Sequence, residues 1–94
     1  MNTPYLAQIR AAGDHAQERT ALVCRPTTTK GRTWAVWISA DGVAAHSLTE
    51  AVLSHARPVE NYAPHRAAKK LLRAGRRLGI STQAKKLLME VLDL

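Results

Sequence analysis

Apolar and polar positions change period along the chain, and each change marks an element. Near the start, Leu6, Ile9, Ala12 and Ala16 recur at helical spacing. Thr3 ahead of Pro4 supplies a hydroxyl cap and a proline whose missing N–H is harmless in a first turn. The pattern predicts an N-terminal helix over residues 4–12, with Gly13 leaving its far end open between residues 12 and 17. From Arg19 the period becomes two. Thr20–Arg25 and Arg32–Ser39 are rich in Val, Ile, Thr and Trp and read as strands joined by the loop Pro26–Gly31. In the second strand Trp34, Val36 and Ile38 share one face, and Ala35 and Trp37 the other. Asp41-Gly42 is a tight-turn signal, so Val43–His46 reads as a third strand.

The period then returns to that of a helix. Ser47 and Glu50 form a capping box in front of a stripe of Leu48, Ala51, Val52 and His55, and Pro58 ends that helix. Val59–Ala63 reads as a linker, and Pro64 suits the first turn of a helix over residues 65–78. Gly79 breaks it, and Ser81 caps a last helix whose apolar positions are Ala84, Leu87, Leu88, Val91 and Leu92. The expected fold class is α+β: a small three-stranded antiparallel meander with an N-terminal helix and three C-terminal helices, in the order α-β-β-β-α-α-α. The expected organisation is one domain over residues 1–94, with a mixed core in 1–57 and a basic helical pair in 64–94.

Charge changes the picture most at His65–Leu78, HRAAKKLLRAGRRL. At about 100° per residue, Ala67, Ala68, Leu71, Leu72, Ala74, Gly75 and Leu78 fill one arc of this helix. Arg66, Lys69, Lys70, Arg73, Arg76 and Arg77 fill the opposite arc, with no acid among them. Like charges at such spacing repel, so the arrangement makes sense if something anionic meets that face. The asymmetry extends to the whole chain, whose net charge is +7. Residues 1–56 hold five Arg or Lys against four acids, whereas residues 57–94 hold nine against three. A second, smaller cluster of Arg25, Lys30 and Arg32 sits at the expected hairpin loop, where charge also serves simply to keep a loop solvated.

The segment Ala74–Ser81, AGRRLGIS, resembles the helix-turn-helix of Fis-type DNA-binding proteins. Those families place a small residue four before the turn glycine, a leucine just before it, then an aliphatic residue and a polar cap. Gly75, Leu78, Gly79, Ile80 and Ser81 occupy those places. The resemblance covers about the last thirty residues. It implies that Thr82, Gln83 and Lys86 face base edges and that Arg76 and Arg77 face phosphate, and it puts DNA ahead of RNA. A plain helical hairpin covering the sheet fits the same residues. The expected order of elements also resembles, in topology only, that of double-stranded-RNA-binding domains.

Other chemistry finds little footing. His15, His46, His55 and His65 show no metal-ligand spacing, and one cysteine cannot build a zinc site. Cys24 lies in an alternating strand with no adjacent base, so it reads as a buried thiol, and a lone cysteine fits a reducing cytosol. Trp34 reads as core, and Trp37 as either covered or a stacking platform. The longest strongly apolar run, Trp34–Ile38, is too short for a bilayer, and MNTPYLAQIR lacks the charged-then-apolar form of a signal peptide. The expectation is therefore a cytoplasmic, non-catalytic nucleic-acid-binding protein without metal, cofactor or membrane partner. Its contacts are expected from Arg66, Lys69, Lys70, Arg73, Arg76, Arg77 and Lys86, with Arg25, Lys30, Arg32 and Gln83 secondary. The alternative is a protein-interaction module, a small inhibitor or adaptor, docking the same helix on an acidic partner surface. A homodimer is compatible with an edge strand and a Leu-rich last helix.

Overall fold

In the computed structural model, residues 3–10, 18–25, 32–60 and 63–94 are described. The strands are β1 (Tyr5–Arg10), β2 (Glu18–Cys24), β3 (Trp34–Ser39), β4 (Gly42–Ser47) and β5 (Arg57–Pro58). The helices are α1 (Glu50–Ser54), α2 (Pro64–Leu78) and α3 (Thr82–Leu92). The strands form one antiparallel sheet in the order β4-β3-β2-β1-β5.

This corrects the expected three-stranded meander and N-terminal helix. Residues 5–10 are a strand, paired with β2 from Tyr5↔Val23 to Arg10↔Glu18. The helical spacing of Leu6 and Ile9 concealed a second alternation. Ala7 and Ile9 are fully buried on one face, while Leu6 and Gln8 lie on the other. The strand is paired on both edges by β2 and β5, with the α1 side packed on one face and the α2 side on the other, and that tertiary context outweighs a short helical pattern. The topological likeness to double-stranded-RNA-binding domains loses its first helix with this correction. Residues 11–17, the rest of the expected helix, lie outside the described residues.

The fifth strand was hidden in what read as a helix end and linker. Arg57 and Pro58 pair with Gln8 and Ala7, and the Val59 N–H donates to the Leu6 carbonyl at 2.8 Å. Proline is tolerated here because β5 is an edge strand. Arg57 reaches past β1 to an ion pair with Glu18. The helix before it is also shorter than its stripe suggested. Thr49 caps α1, accepting from the Val52 N–H at 3.3 Å, whereas Ser47 still belongs to β4 opposite Trp34.

The sheet separates two cores. Ala7, Ile9, Ala21, Val23, Ala35 and Trp37 face one side, with Leu48, Leu53 and Ala56 around α1 packed against them. Leu22, Cys24, Val36 and Val43 face the other, beneath Ala67, Ala68, Leu71 and Ala74 of α2 and Ala84, Leu87, Leu88 and Val91 of α3. Residues of both halves of the chain thus share one core. Trp34, Val36 and Ile38 do lie on this second face, but only Val36 is fully buried. Ile38 stays 44% exposed at the end that the helices leave open.

The helical pair is fastened to the sheet at one joint. The turn between α2 and α3 runs alongside β4 as a parallel bridge, Val43↔Ile80. Val43 donates to the Gly79 carbonyl at 2.9 Å, and Ser81 donates to the Val43 carbonyl at 3.0 Å. Gly42 has φ +118°, and a Cβ there would meet the Gly79 carbonyl oxygen at 2.6 Å. Backbone cannot retreat from that contact as a flexible side chain could. Gly75 permits a second close approach, since a Cβ on it would lie 2.9 Å from Ile80 Cβ.

Two stability measurements follow from this geometry. Gly42→Ala should lower the urea unfolding free energy by on the order of 2 kcal/mol or more, combining strained φ with a backbone clash. Thr49→Ala should cost about 0.5–1 kcal/mol as the loss of a cap, and Ser47→Ala should leave the urea midpoint close to wild type.

Candidate nucleic-acid interface

Small residues set the position of α2. Its buried side is mostly Ala67, Ala68, Ala74 and Gly75, with Leu71 the one large side chain among the buried residues. That composition lets the helix lie close to both the sheet and α3. Pro64 opens it at N1 and Gly79 closes it, donating to the Gly75 carbonyl at 2.8 Å. Gly79 has φ +100° and ψ 156°, a region essentially reserved for glycine, and this turns the chain onto β4.

With that side buried, the polar arc must face outward. Arg66, Lys69, Lys70, Arg73, Arg76 and Arg77 are all exposed. Among the described residues none of the six forms an ion pair. Arg66, Lys70, Arg73 and Arg77 make one row, about 16 Å long at 1.5 Å per residue. Lys69 and Arg76 form a second row nearer α3. This follows from helical spacing, because His65 and Gly75 mark the α3 side: His65 Nε2 lies 3.0 Å from the Leu94 carbonyl oxygen, and Gly75 abuts Ile80. Arg76 and Arg77 also sit in the last turn, where the helix carbonyl end favours positive charge.

The remaining expected contacts are more scattered. On α3, Thr82 and Lys86 are exposed and Gln83 is half-buried, behind the Ser81 cap that accepts from the Ala84 N–H at 3.2 Å. Lys85 is exposed beside them. Glu90 turns one carboxylate oxygen inward, where it is buried without a hydrogen-bond partner. Leu87, Leu88 and Val91 are buried in the chain's own core, which leaves Met89 and Leu94 as the exposed large apolar side chains at this end. Arg25 and Arg32 are exposed at the borders of the β2–β3 connection, a different element from the α2 rows. Lys30 lies outside the described residues.

Trp37 is covered, at 6% exposure. His46 stacks on it with ring centroids 4.2 Å apart, and the Arg19 guanidinium lies 5.5 Å from its ring centre. This trio, and a groove beside α2 considered below, escaped the sequence reading. The trio joins residues of β2, β3 and β4 and the groove joins strands to α2, so neither leaves a contiguous pattern in the sequence. Trp34 is half-buried, and its indole N–H is buried without a hydrogen-bond partner.

His55 Nδ1 lies 2.9 Å from the Ala51 carbonyl oxygen, His46 is in the stack, and His15 lies outside the described residues. Among the described residues no group of three His, Cys, Asp or Glu side chains is gathered to hold a metal ion, and no helix is long and apolar enough to cross a membrane. The Cys24 thiol is buried, and burial, followed by the nearby Glu90 charge, pushes its pKa up to about 12. Such a thiol is a poor nucleophile near neutral pH. Comparison with known families, characterised proteins and solved structures found no match for this chain.

The Cys24 environment makes a pH prediction with a defined sign. The thiol holds its proton in the folded state until about pH 12, while the unfolded chain releases it from about pH 9. Stability from this group is therefore full below about pH 9 and lost as pH rises toward 12, with a slope near 1.4 kcal/mol per pH unit. Urea titrations at pH 8 and 10 should show that loss in the wild type, and Cys24→Ala should flatten it. Native protein should also resist iodoacetamide at pH 8 and react once unfolded.

Proposed function

We propose that the chain is a small, basic, non-catalytic nucleic-acid-binding protein of the cytoplasm whose affinity comes from phosphate contacts along α2. The observation that carries this reading is the double row of six exposed cations with no ion-pair partner among the described residues. At about 3.4 Å of helix axis per phosphate on one strand, the 16 Å row is matched to a short run of about four or five phosphates. Phosphate contacts supply affinity and register without reading sequence. The outward side chains Thr82 and Lys86 of α3, with the helix-turn-helix resemblance, favour duplex DNA over RNA and add base contacts to the same docking.

The test is retention on generic duplex DNA as a function of salt. Replacing Arg66, Lys70, Arg73 and Arg77 together by Gln should lower affinity for all sequences alike. The slope of log affinity against log salt should shrink by about 0.9 for each duplex contact removed. Melting temperature should hold or rise, since like charges have been removed from one helix face. Gln83→Ala with Lys86→Ala should instead relax sequence preference more than generic affinity. Equal retention of wild type and the four-fold variant at low salt would reject phosphate binding by this face. Recovery of one acidic protein, lost in the variant, would then support docking on an acidic partner surface.

A further inference from the structure

Among the described residues, the helical layer leaves part of its side of the sheet uncovered. α3 lies on one flank of α2. On the opposite flank, Ala67, Lys70 and Leu71 form the wall of a groove of about 520 Å³. Leu6, Leu22 and Ile38 contribute to its floor, and Val59, just past β5, stands at the far side. Its polar floor groups satisfy each other, Gln8 donating to Thr20 Oγ1 at 2.7 Å. Arg19 also borders the groove, but its guanidinium is engaged with Trp37 on the other face. What remains is an apolar slot, with Ile38 at 44% exposure inside it and one cation, Lys70, at its lip. Lys70 stands in the row with Arg66, Arg73 and Arg77, so a line of positive charge runs beside the slot.

We infer that this groove docks an acidic amphipathic helix of a partner protein. The slot lies beside α2 where a third helix would complete the layer over the sheet. Apolar residues spaced at i, i+3 or i+4 and i+7 would fill the floor from above, the usual manner in which a groove holds an amphipathic helix. Lys70 and its neighbours then meet acids on the occupant's α2-facing flank. Charge decides the class of partner: a second copy of this chain, at +7, would be repelled by the same row. Neutral floor and cationic lip together specify an occupant that is leucine-rich on one side and acidic on the adjacent one.

The test uses the full chain and three labelled synthetic helices of about four turns, followed by fluorescence anisotropy at physiological salt. The first peptide carries leucines at i, i+3 and i+7 with glutamates alongside, the second has serine for each leucine, and the third has lysine for each glutamate. The first should bind about tenfold or more tightly than either control. Ile38→Ser, in the floor, and Lys70→Gln, at the lip, should each weaken it by about fivefold or more. Should Ile38→Ser fail to melt cooperatively, Val59→Ser at the opposite wall takes its place with the same expected loss. Equal binding of the leucine and serine peptides would overturn the inference, because charge alone would then account for it. Unchanged binding by the folded floor variant would overturn it too. So would a concentration-dependent dimer of the wild type that Ile38→Ser abolishes, since the groove would then belong to a second copy.

Discussion

The placement of both C-terminal helices depends on a contact between two turns. The β3–β4 turn at Gly42 and the α2–α3 turn at Gly79 meet backbone to backbone, and two hydrogen bonds through Val43 lock them together. The distances leave no room for a side chain at Gly42, and Ile80 can settle against α2 only because Gly75 has none. These glycines are far apart in sequence and act as one fitting. Through it, the angle at which α2 crosses the sheet is set by main-chain geometry, with the apolar contacts of Leu71, Leu87 and Leu88 filling in behind.

From that constraint the electrostatic character of the molecule follows. A helix pressed this close to its neighbours presents mostly alanine and glycine inward, with Leu71 the one large buried side chain, so its long polar side chains belong to the outer arc. In α2 those long polar side chains are arginine and lysine. Their mutual repulsion is tolerated because burial of the inner arc and the joint at Gly79 hold the helix in place, with some relief from the helix end beside Arg76 and Arg77. The same geometry leaves α2 with one flank against α3 and the other beside the groove, so that Lys70 belongs at once to the cation row and to the groove's lip.

How much of this could be read from the chain depended on how local each signal was. The last two helices, with the proline, the glycine and the Ser81 cap that bound them, appear where periodicity and punctuation put them. So do the three strands from Glu18 to Ser47 and the Gly42 turn. The cation rows were legible because exposure on a helix follows directly from its period. What escaped was decided by partners distant in sequence. Leu6 and Ile9 fit a helix until β2 and β5 supply a ladder on either side, and Arg57-Pro58 has no strand character until β1 lies beside it. Ser47 makes a better capping box on paper than Thr49, but the β3 pairing retains it in the sheet through Trp34↔Ser47. The groove, assembled from β1, β2, β3, α2 and the residue after β5, has no contiguous pattern at all.

The way the sheet ends bears on what happens when many copies of this chain are crowded side by side. Strands with free outer edges tend to zip together across molecules, and crowding makes that more frequent. Here Pro58 gives the β5 edge a residue with no N–H to offer. On the β4 edge, the amide and carbonyl of Val43 are already occupied by Gly79 and Ser81. The joint that orients the helices therefore also occupies one sheet margin at Val43, and the proline blunts the other. Crowded copies of the chain thus meet a proline on one margin and an occupied Val43 on the other, two features that disfavour edge-to-edge pairing.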